Sequence, residues 1–216
     1  WHYDDNRLVK ASNRTYGQFR GYGEVDTRFG NTANTTNGAA DAQTESKAFY
    51  YRGMNGDTLP GGGTRTANVS DTFGATISDN NAFADQQLET QKLNGVGGAE
   101  VSATVTNLAV AATTATQTVS GLPTVYATMV RTASQRTVTD LAAGGTEFKQ
   151  TATTYDASGR PILADTTGTG ITETCQQTSY AANSSGTITN ATAESITAQQ
   201  ACPASAGNLT ASAILS

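Results

Sequence analysis

The chain has 216 residues, a net charge of −5 at pH 7, and only 14% charged and 37% hydrophobic side chains, both low for a globular protein. No cluster of Lys and Arg is present, which argues against a nucleic-acid partner, and no apolar run reaches the length of a membrane span. Thr, Ala, Gly, Ser and Asn fill the composition, as suits a β-rich chain at the cell surface or outside the cell, where Thr is at home on half-exposed strands.

Taken in chain order, period-two runs bounded by Gly, Asn and Asp dominate. Phe19–Phe29 alternates larger and polar side chains and stops at the turn signal Gly30-Asn31. Ala48–Met54 reads as a short aromatic strand ending at Asn55-Gly56-Asp57, a sequence suited to positive φ. A Gly61-Gly62-Gly63 loop and a strand over Thr64–Val69 follow. Asn81–Glu89 is the best helix candidate: Phe83, Ala84 and Leu88 fall near helical spacing, with Asp79 placed to cap. Gly95-Val96-Gly97-Gly98 reads as a hairpin turn, since no GK[ST] or following helix makes it a phosphate loop.

Glu100–Thr106 alternates with Val101 and Val105 on one face, and Thr116–Val119 and Val125–Arg131 continue the strand pattern. The Thr/Ala-rich stretch from Asn107 to Thr118 reads alternatively as a linker dividing two halves. Arg136–Leu141 leads into the turn Ala142-Ala143-Gly144-Gly145, Phe148–Tyr155 is a strand, and Ile188 and Ile196 mark strand positions between Thr187 and Gln199. Strands recurring about every 8–12 residues with turn chemistry between them predict an antiparallel all-β fold with little helix.

Cys175 and Cys202 stand 27 positions apart. An even count in such a chain favours a disulfide and an oxidising compartment, worth roughly 3–4 kcal/mol if formed, with two buried thiols as the alternative. The only histidine is His2 and no CxxC spacing occurs, so neither a zinc site nor a Ser-His-Asp site is expected. Acidic pairs such as Glu24/Asp26 and Asp79/Asp85 read as turn or solvated residues rather than as acid–base pairs, and Asp79-Asn80-Asn81 with Asp85 lacks calcium-loop spacing. No cofactor is implied, and an enzyme ranks last among the functional classes.

Thr154-Tyr155-Asp156-Ala157-Ser158-Gly159-Arg160-Pro161-Ile162 carries the most specific local chemistry. Tyr155 ends a strand with its hydroxyl at a polar edge, and Asp156 accepts a backbone N–H two residues on. Gly159 supplies positive φ, and Arg160 and Ile162 begin the return strand. Tyr3-Asp4-Asp5-Asn6-Arg7-Leu8 repeats the scheme one residue shorter, with Asn6 where glycine would stand.

On these two motifs the chain resembles the RHS/YD-repeat proteins, specifically the large secreted ones of actinobacteria. The likeness extends to Phe49–Pro60 with Gly63-Thr64-Arg65-Thr66, to Arg20-Gly21-Tyr22, Leu93–Ser102 and Leu141–Gly145, and to Cys175 and Cys202 around Ser179-Tyr180-Ala181-Ala182-Asn183. It departs from the family in lacking the motif glycine at Tyr3–Leu8 and any counterpart of the self-cleaving core region. The resemblance implies a spiralling sheet of hairpins forming part of a shell around a passenger or toxin polypeptide. Tyr3, Asp4, Arg7, Tyr155, Asp156, Gly159 and Arg160 would then be structural, and the partners would be the rest of the same polypeptide or copies of the chain. A start at Trp1 and an end at Asn208–Ser216 read as those of a piece of a longer, secreted or surface polypeptide. The alternative class is an adhesin or carbohydrate-binding module, for which exposed Tyr22, Tyr50, Tyr51 and Tyr126 would face a glycan.

Overall fold

A computed structural model describes residues 1–3, 9–120, 124–182, 186 and 189–215. The fold is all-β and antiparallel. Its strands are β1 (Glu24–Phe29), β2 (Thr35–Thr36), β3 (Ala39–Ala40), β4 (Thr44–Tyr50), β5 (Asn68–Ser70), β6 (Thr76–Ser78), β7 (Gln87–Leu93), β8 (Glu100–Gln117), β9 (Val125–Asp140), β10 (Thr146–Tyr155), β11 (Pro161–Gly168), β12 (Thr174–Tyr180) and β13 (Thr192–Ala198). Among the described residues the only helical elements are three short 3-10 turns. A nine-stranded sheet runs β1-β4-β7-β8-β9-β10-β11-β12-β13, and β2-β3 and β5-β6 form separate hairpins. The backbone groups into two compact units, Trp1–Val105 with Gln117–Val125, and Thr106–Thr116 with Tyr126–Ser216.

In the first unit β4 is flanked by β1 and β7 in antiparallel register, Lys47 facing Asp26 on one side and Gln91 on the other. The alternation of β1 and β4 puts opposite charges across the ladder, where they stabilise pairing. Lys47 Nζ lies 2.9 Å from Glu24 and 3.8 Å from Asp26, and Arg28 Nε donates to Glu45 at 3.0 Å. Glu45 also accepts the Gly97 N–H at 2.6 Å, tying the β7–β8 turn to β4. Tyr51, Met54, Phe83, Leu88, Ala103 and Val105 are this unit's buried apolar side chains, with Tyr51 edge-on to Phe83 at 5.4 Å.

Several expected element boundaries shift. The strand expected over Phe19–Phe29 begins at Glu24, and that over Ala48–Met54 ends at Tyr50. The helix expected over Asn81–Glu89 is a single 3-10 turn, Asn81–Phe83, followed by β7. Asp85 ends it by taking φ 64°, and the cap is Asn80, whose side chain accepts from Ala82 N, while Asp79 serves the loop after β4. Beyond Thr106 the Thr/Ala-rich stretch is strand through Gln117, and the division of the backbone into two units falls at its start, between Val105 and Thr106. Small and β-branched side chains with no turn residue among them let β8 run on.

The second unit is a succession of hairpins. Phe148 pairs with Val138, Thr151 with Thr166, Asp165 with Cys175, and Cys175 with Ala198. Its buried apolar residues are Val138, Leu163, Cys175 and Ala198. Cys175 and Cys202 form a disulfide with Cα atoms 4.8 Å apart, and the Cys202 N–H donates to Asp165 at 3.0 Å. The chain beyond Cys202 then returns to β13: Gln199 N donates to Ala213 O and Leu215 N to Thr197 O, both at 2.7 Å. Ile188, an expected strand position, lies outside the described residues.

Candidate functional site

The β10–β11 turn brings Tyr155, Asp156, Gly159 and Arg160 into one network. Asp156 N donates to Arg160 O and Gly159 N to Asp156 O, each at 2.9 Å, and Gly159 takes φ 70°. Asp156 Oδ1 accepts the N–H groups of Ser158 and Arg160 at 2.9 Å, and its other oxygen lies 2.7 Å from both Nε and Nη2 of Arg160. The guanidinium stacks 4.4 Å from the Tyr180 ring centroid and donates through Nη1 to Thr189 O. Tyr155 donates its hydroxyl to Thr132 O at 2.7 Å, and Tyr180 to Pro161 O at 2.9 Å. The side chains of Tyr155, Asp156 and Arg160 thus all make hydrogen bonds within the second unit.

Burial raises the Asp156 carboxyl, but the Arg160 N–H, the Arg160 guanidinium and the Ser158 N–H outweigh it and hold the group below its ordinary value of 3.8. The folded group therefore binds a proton less readily than the unfolded one. Its contribution to stability is present above that ordinary value and is lost as pH falls through the lowered one. Glu45 behaves alike, held low by the Gly97 N–H against burial and helped by Arg28. Denaturant midpoints should accordingly drop below about pH 4, and the drop should be shallower in Asp156→Asn, which lacks the Asp156 share. An unchanged acid limb in that variant would remove Asp156 from the account.

The same turn recurs where no tyrosine precedes it. Between β5 and β6, Asp71 N donates to Ala75 O at 3.1 Å and Gly74 N to Asp71 O at 3.2 Å, while Asp71 Oδ1 accepts from Phe73 N and Ala75 N. The spacing of Asp71 and Gly74 equals that of Asp156 and Gly159, a sequence signal that was there to find. Leu141–Gly145 closes with the same backbone pattern but without a side-chain cap. Of the amino-terminal motif, Asp4 and Arg7 lie outside the described residues. Tyr3 packs edge-on against Tyr16 at 5.3 Å and donates its N–H to the buried Asp57, which His2 Nε2 and Arg65 also approach at 3.4 and 3.7 Å.

The aromatic residues expected to face a ligand divide. Tyr22 and Tyr50 line a cavity of about 270 Å³ together with Arg20, Gly21, Val25, Tyr51 and Asp85. Tyr22 is 70% exposed and continues outward through Phe19 at 5.5 Å to Trp1 at 5.3 Å, a run of exposed rings. Tyr51, by contrast, is fully buried against Phe83, so its expected exposure is corrected: it is a core residue. Tyr126 is exposed on β9, in the second unit. Sequence reasoning missed the polar half of this cavity. Arg20 donates to Asn81 Oδ1 at 2.8 Å while its buried Nε has no partner among the described residues, and Asp85 sits at positive φ on the wall.

Near these residues in sequence lies a buried carboxylate bonded only to backbone N–H groups among the described residues. Asp79 is 1% exposed and accepts three consecutive backbone N–H groups, from Arg52 at 2.9 Å, Gly53 at 2.7 Å and Met54 at 3.0 Å. Gly53 makes this possible by adopting φ 66°, which turns successive N–H groups to one side. With its oxygens so filled, Asp79 is not available to a cation. Among the described residues no group of His, Cys, Asp and Glu is arranged to hold a metal ion, and no helix is long and apolar enough to cross a membrane. No family model, curated protein or solved structure matches this chain.

Proposed function

We propose that the chain is a non-enzymatic structural segment of a secreted or cell-surface protein of the RHS/YD-repeat kind, a sheet of hairpins that encloses, displays or delivers a passenger polypeptide. The observation that carries this reading is the second unit's succession of neighbouring hairpins, β9 to β13, with only four buried apolar side chains among its described residues. A sheet so thinly covered gains little from its own core and is built to be completed by neighbouring repeats or by what it surrounds. The fully internal bonding of Tyr155, Asp156 and Arg160 supports a repeat signature over a binding site. Electron microscopy of the intact parent polypeptide tests it: a hollow wall of hairpins that includes this chain is expected, and a solid two-sheet sandwich sinks the reading.

A second reading, a saccharide-binding surface module, is favoured by the cavity under Tyr22. Exposed aromatic faces beside the Arg20 guanidinium and the Asp85 carboxylate suit the apolar faces and hydroxyls of a sugar. The chain's only tryptophan stands at the end of the ring run, so its fluorescence serves as the reporter. Titration across a panel of defined oligosaccharides should then give a saturable change that Tyr22→Ala abolishes. Responses equal in the variant, or none in the wild type, discard this alternative.

A further inference from the structure

One cluster, two of its three side chains buried, serves neither the β10–β11 turn nor the cavity. Glu89 and Gln91 stand two residues apart on β7, on the same face, and are 1% and 7% exposed. Thr72, in the β5–β6 turn, reaches them from above. Its hydroxyl donates to Glu89 Oε1, and its N–H donates to Glu89 Oε2 at 3.1 Å. Gln91 Nε2 lies 3.1 Å from Glu89 Oε1 and 3.4 Å from Thr72 Oγ1. Asp71, itself buried, fixes the turn that presents Thr72 by accepting from Phe73 N and Ala75 N. A hydroxyl, a carboxamide and a carboxylate are therefore held together, Glu89 and Gln91 buried beneath an exposed Thr72.

A hydrogen-bonded anchor needs only the Thr72–Glu89 contacts. The position of Gln91 adds something else: one carboxylate oxygen touches both the proton of a nucleophile and the nitrogen of a leaving group. That is the arrangement of a general base that becomes a general acid. The hydroxyl oxygen lies 3.4 Å from the amide nitrogen, the atom bonded to the carbonyl carbon, and the strand and the turn place the two side chains side by side.

We propose that Thr72, Glu89 and Gln91 are a self-processing site that joins Thr72 to Gln91 by an intramolecular ester. Thr72 Oγ1 bonds to Gln91 Cδ while its proton passes to Glu89, giving a tetrahedral oxyanion. The Cδ–Nε2 bond then breaks, the Glu89 proton moves to the departing nitrogen, and ammonia leaves. Glu89 ends as it began, no oxidant or cofactor enters, and one alcohol and one amide become one ester and one ammonia. The product covalently ties the β5–β6 hairpin to β7.

Mass spectrometry of the reduced, denatured chain tests this directly. The wild type should weigh one ammonia less than its sequence. Trypsin should release Thr66–Lys92, which contains both residues and no internal Lys or Arg, carrying that deficit and yielding no backbone fragment ions between Thr72 and Gln91. Thr72→Ser should keep the deficit, while Thr72→Ala, Glu89→Gln and Gln91→Glu should show full mass. Wild type at full mass overturns the proposal whatever the variants do. So does a deficit that persists in Thr72→Ala, because it would place the ammonia loss at another Asn or Gln.

Discussion

Asp79→Ala is expected to lower the stability of the first unit by about 3–5 kcal/mol, because three N–H groups at the end of β4 lose their acceptor together and each orphaned buried donor costs roughly 1–3 kcal/mol. The donors belong to Arg52, Gly53 and Met54, whose loop also seats the buried Tyr51 and Met54 side chains, so the loss spreads into the core. Asp79→Asn should fall between, since the amide keeps one acceptor oxygen and turns its NH₂ toward donors. Gly53→Ala attacks the same nest from the other side. A Cβ there would stand 2.9 Å from Ala84 Cβ and 3.0 Å from the backbone of Asn81, on a residue held at positive φ. Urea unfolding followed by circular dichroism measures both, and a change under about 0.5 kcal/mol in Asp79→Ala would mean the nest adds nothing to the unit's stability.

Loss of the disulfide should cost the second unit roughly 3–4 kcal/mol through the restored freedom of the unfolded loop. The readout is the denaturant midpoint of Cys175→Ala/Cys202→Ala against wild type, with intact mass confirming the oxidised state of the latter. Cys175 is fully buried between Asp165 and Ala198 on the neighbouring strands, so removing its sulfur also opens space in the smaller of the two cores. Hydrogen exchange should quicken at Gln199 and Leu215, whose N–H groups hold the returning segment to β13. Protection unchanged at both positions would show that the segment docks independently of the cross-link.

The local chemistry of turns was the most legible part of the sequence. Asp156 caps the N–H two residues on, Gly159 takes positive φ, and Arg160 finds an acid and a tyrosine face, each as its residue type dictates. Gly56 and Gly144 also sit at positive φ in the turns expected around them. What misled was spacing without context. Phe83, Ala84 and Leu88 fit a helical face, yet the bonds of Asp79 and the φ of Asp85 turn that stretch into a 3-10 turn and a strand. The burial of Tyr51 was hidden because adjacent strand residues face opposite sides and Tyr50-Tyr51 gives no sign of which one faces in. The Thr72–Glu89–Gln91 cluster was invisible in sequence, since two of its members come from β7 and the third from a turn a strand and a loop away.

The segment after Cys202 covers only the last residues of β13, through two backbone bonds at Thr197 and Gln199. Those two bonds hold because the covering strand is part of the same chain and is tethered close by at the disulfide, which gives it a high effective concentration at that edge. A strand arriving from another molecule must outcompete a neighbour that never diffuses away. Reduction frees the Cys202 end of that segment without touching β13 itself, so this edge of the sheet is expected to accept an outside strand more readily once the disulfide is broken.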